Sequence, residues 1–136
     1  MDKFMSLALS EARIAEECGE VPVGAVIVRD GEIIASTHNL KESLCDPTAH
    51  AEILAIRKAC EKLSDWRLDG CDIYVTLEPC RMCSAAIAEA RIRRVYFGAY
   101  DKDSCIDMIG NTCEVYGGIE QIQCENVLKE FFKKQR

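Results

Sequence analysis

The order of apolar and polar positions along the chain predicts helices and strands in alternation. Phe4, Met5, Ala8, Leu9, Ala12 and Ala15 recur at three- and four-residue spacing with charges between them. That pattern predicts an amphipathic helix over residues 2–18, with Gly19 placed to end it. Two apolar, β-branched runs, 23–28 and 33–37, flank Asp30-Gly31, and Asp-Gly between such runs predicts a hairpin with a tight turn. Residues 39–48 read as a loop closed by Asp46-Pro47-Thr48. Thr48 is the expected N-cap of a helix from Ala49 to about Leu63, with Ile53, Leu54, Ile56 and Ala59 among its apolar positions. After a connector at 66–70, residues 72–77 are apolar on both alternating sets, the pattern of a central strand. Pro79 suits the first position of a helix over 80–90. Residues 94–99 predict another strand. The pattern weakens from 100 to 118, apart from a short strand at 114–116, and 119–132 returns to helical spacing. The order α-ββ-α-β-α-β-(β)-α predicts an α/β fold with a sheet between two helix layers.

Composition narrows the class without naming a function. At 136 residues the chain is expected to form a single domain, 1–136, large enough to bury a core without staples. Its 49% apolar and 29% charged residues are ordinary for a soluble globular protein. Met1-Asp2-Lys3-Phe4 lacks a basic region followed by an apolar run, and no apolar run is long enough to span a bilayer. The expectation is a cytoplasmic protein without membrane association. The net charge of −6 fits nonspecific nucleic-acid binding poorly, because phosphates reward Lys and Arg. It leaves room for local basic patches, of which two are visible: Arg91, Arg93 and Arg94, and the terminal Lys133, Lys134 and Arg136. Both read by default as solvated surface.

The candidate chemistry lies in two short stretches, His50-Ala51-Glu52 and Pro79-Cys80-Arg81-Met82-Cys83. The Cys-x-x-Cys spacing at a helix start lets two thiolates meet one metal, and the helix dipole favours the thiolate forms. With His50 as third ligand, a tetrahedral zinc keeps its fourth position for water, the mark of a catalytic site. Glu52 is then the proton carrier. Two blander readings compete. Cys45, five residues before His50, could close a structural Cys3His cage, or the cysteines could bind no metal. His38 reads as a pocket-edge or surface residue, and Glu78, beside Pro79, as an electrostatic aid to the helix N-terminus. Nine cysteines, an odd number, argue against a closed disulfide framework. Cys18, Cys45, Cys60, Cys71, Cys105, Cys113 and Cys124 are expected to be small, mostly buried hydrophobes.

H-x-E…P-C-x-x-C is the signature of zinc nucleobase deaminases. The stretches 20–26 (EVPVGAV), 46–53 (DPTAHAEI) and 75–83 (VTLEPCRMC) resemble the bacterial tRNA-specific adenosine deaminases of the zinc-dependent cytidine/deoxycytidylate deaminase family. The likeness runs from the first helix through Asp101 and resumes over 114–132. It implies a three-layer α/β/α cytidine deaminase-like fold with a mixed five-stranded sheet, a homodimer, one Zn2+ per chain and conversion of the tRNA wobble adenosine to inosine. It also implies roles: His50, Cys80 and Cys83 as zinc ligands, and Glu52 as proton shuttle. Asn39 would hold the target nucleoside, Glu20, Val21 and Leu77 would line the base pocket, and Asp101 would touch the preceding nucleotide. Phe132 would stand near the RNA, and Lys129, Lys133, Lys134 and Arg136 could supply phosphate contacts to the anticodon loop.

Two departures from that family fall where RNA would lie. Tyr100 stands where a basic residue is common, and the segment from Asp101 to Glu114 is shorter. A free base or nucleoside deaminase is therefore the alternative substrate reading. Guanine deaminases share both motifs but resemble this chain less around 75–80. The riboflavin-pathway deaminases space their cysteines further apart.

Overall fold

The computed structural model describes residues Met1–Gln135; Arg136, counted above with the terminal basic patch, lies outside the described residues. Helix α1 (Lys3–Glu17) opens on Asp2, whose carboxylate accepts from the Met5 N–H at 2.8 Å, and it buries Met5, Ala8, Leu9, Ala12 and Ala15. This is the predicted apolar stripe less Phe4, which is only partly covered. Strands β1 (Gly24–Arg29) and β2 (Glu32–His38) form the expected antiparallel hairpin. Asp30 and Gly31 both take positive φ, 51° and 78°, which is the backbone of a tight two-residue turn.

Helix α2 (Ala51–Leu63) starts two residues later than the sequence predicts. Its N-cap is His50, not Thr48. The Thr48 hydroxyl is turned back onto Asp46, whose Oδ1 it reaches at 2.7 Å, so it closes the loop instead of capping the helix. The buried face of α2 is also narrower than its large apolar residues suggest. Ala51, Ala55 and Ala59 are buried while Ile53 and Leu54 are half-exposed, because small side chains let the helix lie close to the sheet.

Strand β3 (Cys71–Leu77) leads into α3 (Arg81–Glu89), whose N-cap is Cys80. Pro79 thus precedes the cap and does not occupy the first helical position. Strands β4 (Arg94–Ala99) and β5 (Glu114–Tyr116) fall where the sequence places them, joined by a short 3-10 turn at Ile106–Ile109. Helix α4 (Gln121–Lys134) completes the chain.

The sheet has five strands in the order β2-β1-β3-β4-β5. β1 pairs antiparallel with β2 and β3, whereas β3–β4 and β4–β5 are parallel. β3, apolar on both faces, is the central strand. One face packs against α2 and α3 through Ala55, Ala59, Ile73, Ile87 and Val95, and the other against α1 and α4 through Met5, Leu9, Val26, Cys124 and Val127. Of the seven cysteines expected in the core, Cys71, Cys113 and Cys124 are buried, Cys60 and Cys105 are half-buried, and Cys18 and Cys45 are exposed. No helix among the described residues is long and apolar enough to cross a membrane.

Candidate metal centre and base cavity

The C-terminal end of β3 is where the sheet changes from antiparallel to parallel pairing, and ligand crevices form at such points in open α/β sheets. The N-termini of α2 and α3 converge there. His50, as the α2 cap, and Cys80, as the α3 cap, face each other with Cys83 in the first turn of α3. His50 Nδ1 lies 3.7 Å from Cys80 Sγ and 3.5 Å from Cys83 Sγ, and the three donor atoms all fall within 4.8 Å of one another.

These separations test whether a metal fits. A tetrahedral zinc with its usual Zn–S and Zn–N bond lengths sets a sulfur–nitrogen edge of about 3.6 Å. Two thiols and one imidazole already stand at that spacing before any ion is considered, so the donor set fits zinc. Exposed Cys45 is not in the cluster; its thiol turns to the Glu42 carbonyl at 3.8 Å. The closed Cys3His cage is therefore not assembled. His38 is also elsewhere, with Nδ1 on the Glu11 carboxylate at 2.7 Å.

Protons crowd this cluster. Hydrogen bonding from Cys83 and then from His50 pulls the Cys80 thiol down to about 3, while the thiolate of Cys80, burial and the Glu52 carboxylate hold the Cys83 thiol well above its ordinary value. The bond to Cys80 likewise raises His50. A divalent cation binding here would displace these shared protons. Glu52, in the first turn of α2, is 4% exposed, and burial pushes its carboxyl up to about 7.

A cavity of about 250 Å³ opens over the cluster. His50, Cys80 and Glu52 form part of its lining, and Val21, Asn39, Leu77 and Asp101 contribute to the walls. Asn39 is held from both ends: Nδ2 donates to the Val21 carbonyl at 3.3 Å, and Oδ1 accepts from the Lys41 N–H at 3.1 Å.

One residue expected to line the pocket is placed differently. Glu20 does not line the cavity; it is wholly buried behind the wall, bound to the backbone of Glu42 and Ser43. Phe132, expected near the RNA and not in the pocket, is 52% exposed on α4 and packed edgewise on Phe131. The helix turns Phe131 inward and so leaves its neighbour in solvent.

Lys41 and Glu78 line the cavity without having been singled out for it. Lys41 follows Asn39 by two residues, which was the only available signal. Glu78 has a structural task besides any electrostatic one: its Oε1 accepts the Asp101 N–H at 2.8 Å and so ties β3 to the segment after β4. Tyr100, beside Asp101, is 58% exposed and meets Phe97 edge to face.

Known proteins carry the same architecture. Residues 1–99 match the cytidine and deoxycytidylate deaminase zinc-binding region. The chain is 50% identical to the tRNA-specific adenosine deaminase of Agrobacterium fabrum, over 98% of this chain and 94% of that one. It superposes with a TM-score of 0.88 on a structure from a study of A-to-I editing by tRNA:A34 deaminases, at 49% identity and covering 92% of this chain and 98% of that one. It is also similar to guanine deaminase from Bacillus subtilis, at 40% identity and a TM-score of 0.71, covering 84% of this chain and 73% of that one. The chain therefore belongs to the zinc-binding cytidine and deoxycytidylate deaminase family, among its tRNA-specific adenosine deaminases, and is a hydrolytic deaminase.

Proposed function

We propose that the protein converts adenosine to inosine at the wobble position of tRNA, with zinc held by His50, Cys80 and Cys83 and with Glu52 as the proton carrier. The observation that carries the reading is that His50, Cys80 and Cys83 meet as one donor set while His50, Cys80 and Glu52 line one small cavity. The relatives' named substrate supports tRNA as the source of the adenosine.

What the metal supplies when bound is an acidified water, its pKa lowered from 15.7 to about 7. Glu52 takes the proton of the attacking water and passes it to the ring nitrogen beside the carbon that bears the amino group. The oxygen bonds to that carbon, Glu52 delivers the second proton to the amino nitrogen, and the carbon–nitrogen bond breaks with release of ammonia. One carboxylate acts as base and then as acid, a role worth about 10²–10⁴ in rate. Its burial keeps bulk water from competing for the proton. Val21, Leu77 and Ala51 supply an apolar slot for the ring, and Asn39 offers a polar group on the wall.

At about 250 Å³ the cavity is below the usual range of roughly 300–1,000 Å³ for small-molecule sites. It takes one base, so the target nucleotide must leave its stack and the rest of the RNA must lie outside, against Asp101, Lys41 and the exposed Phe132. On this reading residues 1–136 act as one deaminase domain, paired as a homodimer, in the cytoplasm.

A second reading, deamination of a free purine, is favoured by the likeness to guanine deaminase and by the net charge of −6. Ammonia release measured side by side on tRNA, free nucleosides and free bases separates the two. The expected result is turnover on tRNA that falls steeply with added salt, because phosphate contacts are screened. Salt-insensitive turnover of a free base, with none on tRNA, establishes the second reading.

A further inference from the structure

Glu20 has no exposed surface, and its carboxylate touches neither the metal cluster nor the cavity. It follows α1 directly after Gly19, whose φ of 78° turns the chain inward. Its carboxylate then reaches the loop after β2. One oxygen accepts the Glu42 N–H at 2.9 Å; the other accepts the Ser43 N–H at 2.7 Å and the Ser43 hydroxyl at 2.6 Å. Burial alone pushes this carboxyl up, yet the Ser43 hydroxyl and the two backbone N–H groups outweigh it and hold the group below its ordinary value. The side chain is ionised at neutral pH and buried, an arrangement stable only with its acceptor sites filled.

The fastened loop is one wall of the cavity. Asn39 and Lys41 line it just before the two residues that Glu20 grips. Val21 and Val23 line it just after Glu20 itself. The two segments are joined by further bonds: Asn39 Nδ2 to the Val21 carbonyl at 3.3 Å, and Asn39 N–H to the Val23 carbonyl at 3.1 Å. An apolar contact could hold the loop down, but it would not fix its direction. Three donors converging on one carboxylate do fix it.

We propose that Glu20 is a positioning residue for the deamination, whose carboxylate fastens the backbone of residues 42 and 43 and thereby sets the distance between the Asn39–Lys41 and Val21–Val23 walls that receive the base. The inference rests on reading this cavity as the base site. A wall displaced by a fraction of an ångström weakens the grip on the ring before it touches the proton chemistry that Glu52 performs.

The test uses the full, zinc-loaded chain carrying Glu20→Gln or Ser43→Ala. Glutamine keeps the size but turns an NH2 donor toward the loop's donors; Ser43→Ala removes one bond of the three. Amide exchange at Glu42 and Ser43 should accelerate about a hundredfold in Glu20→Gln, with β1 and β3 unchanged. KM should rise about tenfold on whichever substrate the wild-type chain turns over, with kcat within about threefold. Ser43→Ala should move both readouts the same way by less, and it decides the matter if Glu20→Gln does not fold. Two results overturn the proposal: an unchanged KM despite faster loop exchange, or exchange that accelerates equally across the sheet. Failure of the tRNA reading shows separately, as absence of wild-type turnover on tRNA, and leaves the exchange measurement intact.

Discussion

Beside the cavity, two thiols, one imidazole and one carboxyl compete over shared protons, with Cys80 held deprotonated and Cys83 protonated. That competition lets one residue type be separated from another by experiment. Cys83→Ser removes a donor and should lower zinc content and the melting temperature, measured by metal analysis and thermal unfolding. Cys45→Ser should change neither, since that thiol is exposed and outside the cluster. Glu52→Ala removes no ligand, so the protein should stay folded and zinc-loaded while deamination falls by about 10²–10⁴. Zinc loss in Cys45→Ser would restore the structural cage, and wild-type turnover in Glu52→Ala would move the proton transfer to another group. Glu20 gives a different signature. Its folded-state carboxyl titrates below the ordinary 4.5, so its contribution to stability is complete above that value and is lost as pH falls through the folded one. Denaturant unfolding of Glu20→Gln should accordingly show a flatter loss of stability below 4.5 than the wild type, and parallel acid limbs would contradict this account.

At the scale of elements, the helices lie close to the sheet because small residues meet at the contacts. Ala51, Ala55 and Ala59 of α2 do so on one face. On the other, β1 begins directly beneath α1, and a Cβ at Gly24 would collide with the Ala8 carbonyl and the Ala12 backbone nitrogen. Both obstacles are helix backbone, so neither can rotate aside. Gly24→Ala should cost about 1–3 kcal/mol in urea unfolding, against a small effect for an exposed site. Neutral behaviour would mean that α1 can lift from the sheet without penalty. The same closeness aims the helix ends. α2 and α3 must both start at the end of β3, and their N-terminal dipoles then act on the same few ångströms of space, where they favour negative charge.

For the whole molecule, the acidic charge and the RNA substrate are reconciled by scale. A cavity for one base needs few phosphate contacts, and single-stranded loops are read largely by stacking and base edges. Lys133 and Lys134 stand in the last turn of α4, beside exposed Phe132, and offer a local basic strip. Lys134 reaches Glu16 of α1 at 3.4 Å, so part of that strip is already neutralised. The homodimer implied by the resemblance is tested by sedimentation in dilute solution together with an activity assay. A dimer is expected; a monomer with full activity would refute it.

The sequence by itself determined the elements and the chemistry. Periodicity located every strand and α-helix of the described residues to within a few residues, since the alternation of apolar positions is set by the geometry of each longer element alone. It did not locate the 3-10 turn at Ile106–Ile109. The motifs HAE and PCRMC singled out the candidate metal donors and the candidate proton carrier, because metal and proton chemistry admits few residue types. The tertiary structure decided what depends on neighbours distant in the chain. The N-cap pattern alone also missed that Thr48 bonds Asp46, two residues back, and leaves His50 as the cap. Nothing local says that α2 buries its alanines and leaves Ile53 and Leu54 at the edge, since that follows from how near the sheet lies. Glu20 shows the limit most clearly. The family resemblance implied the pocket lining, but Ser43, 23 residues away, holds its carboxylate. A buried charge goes where its donors are, and only the folded chain brings those donors together.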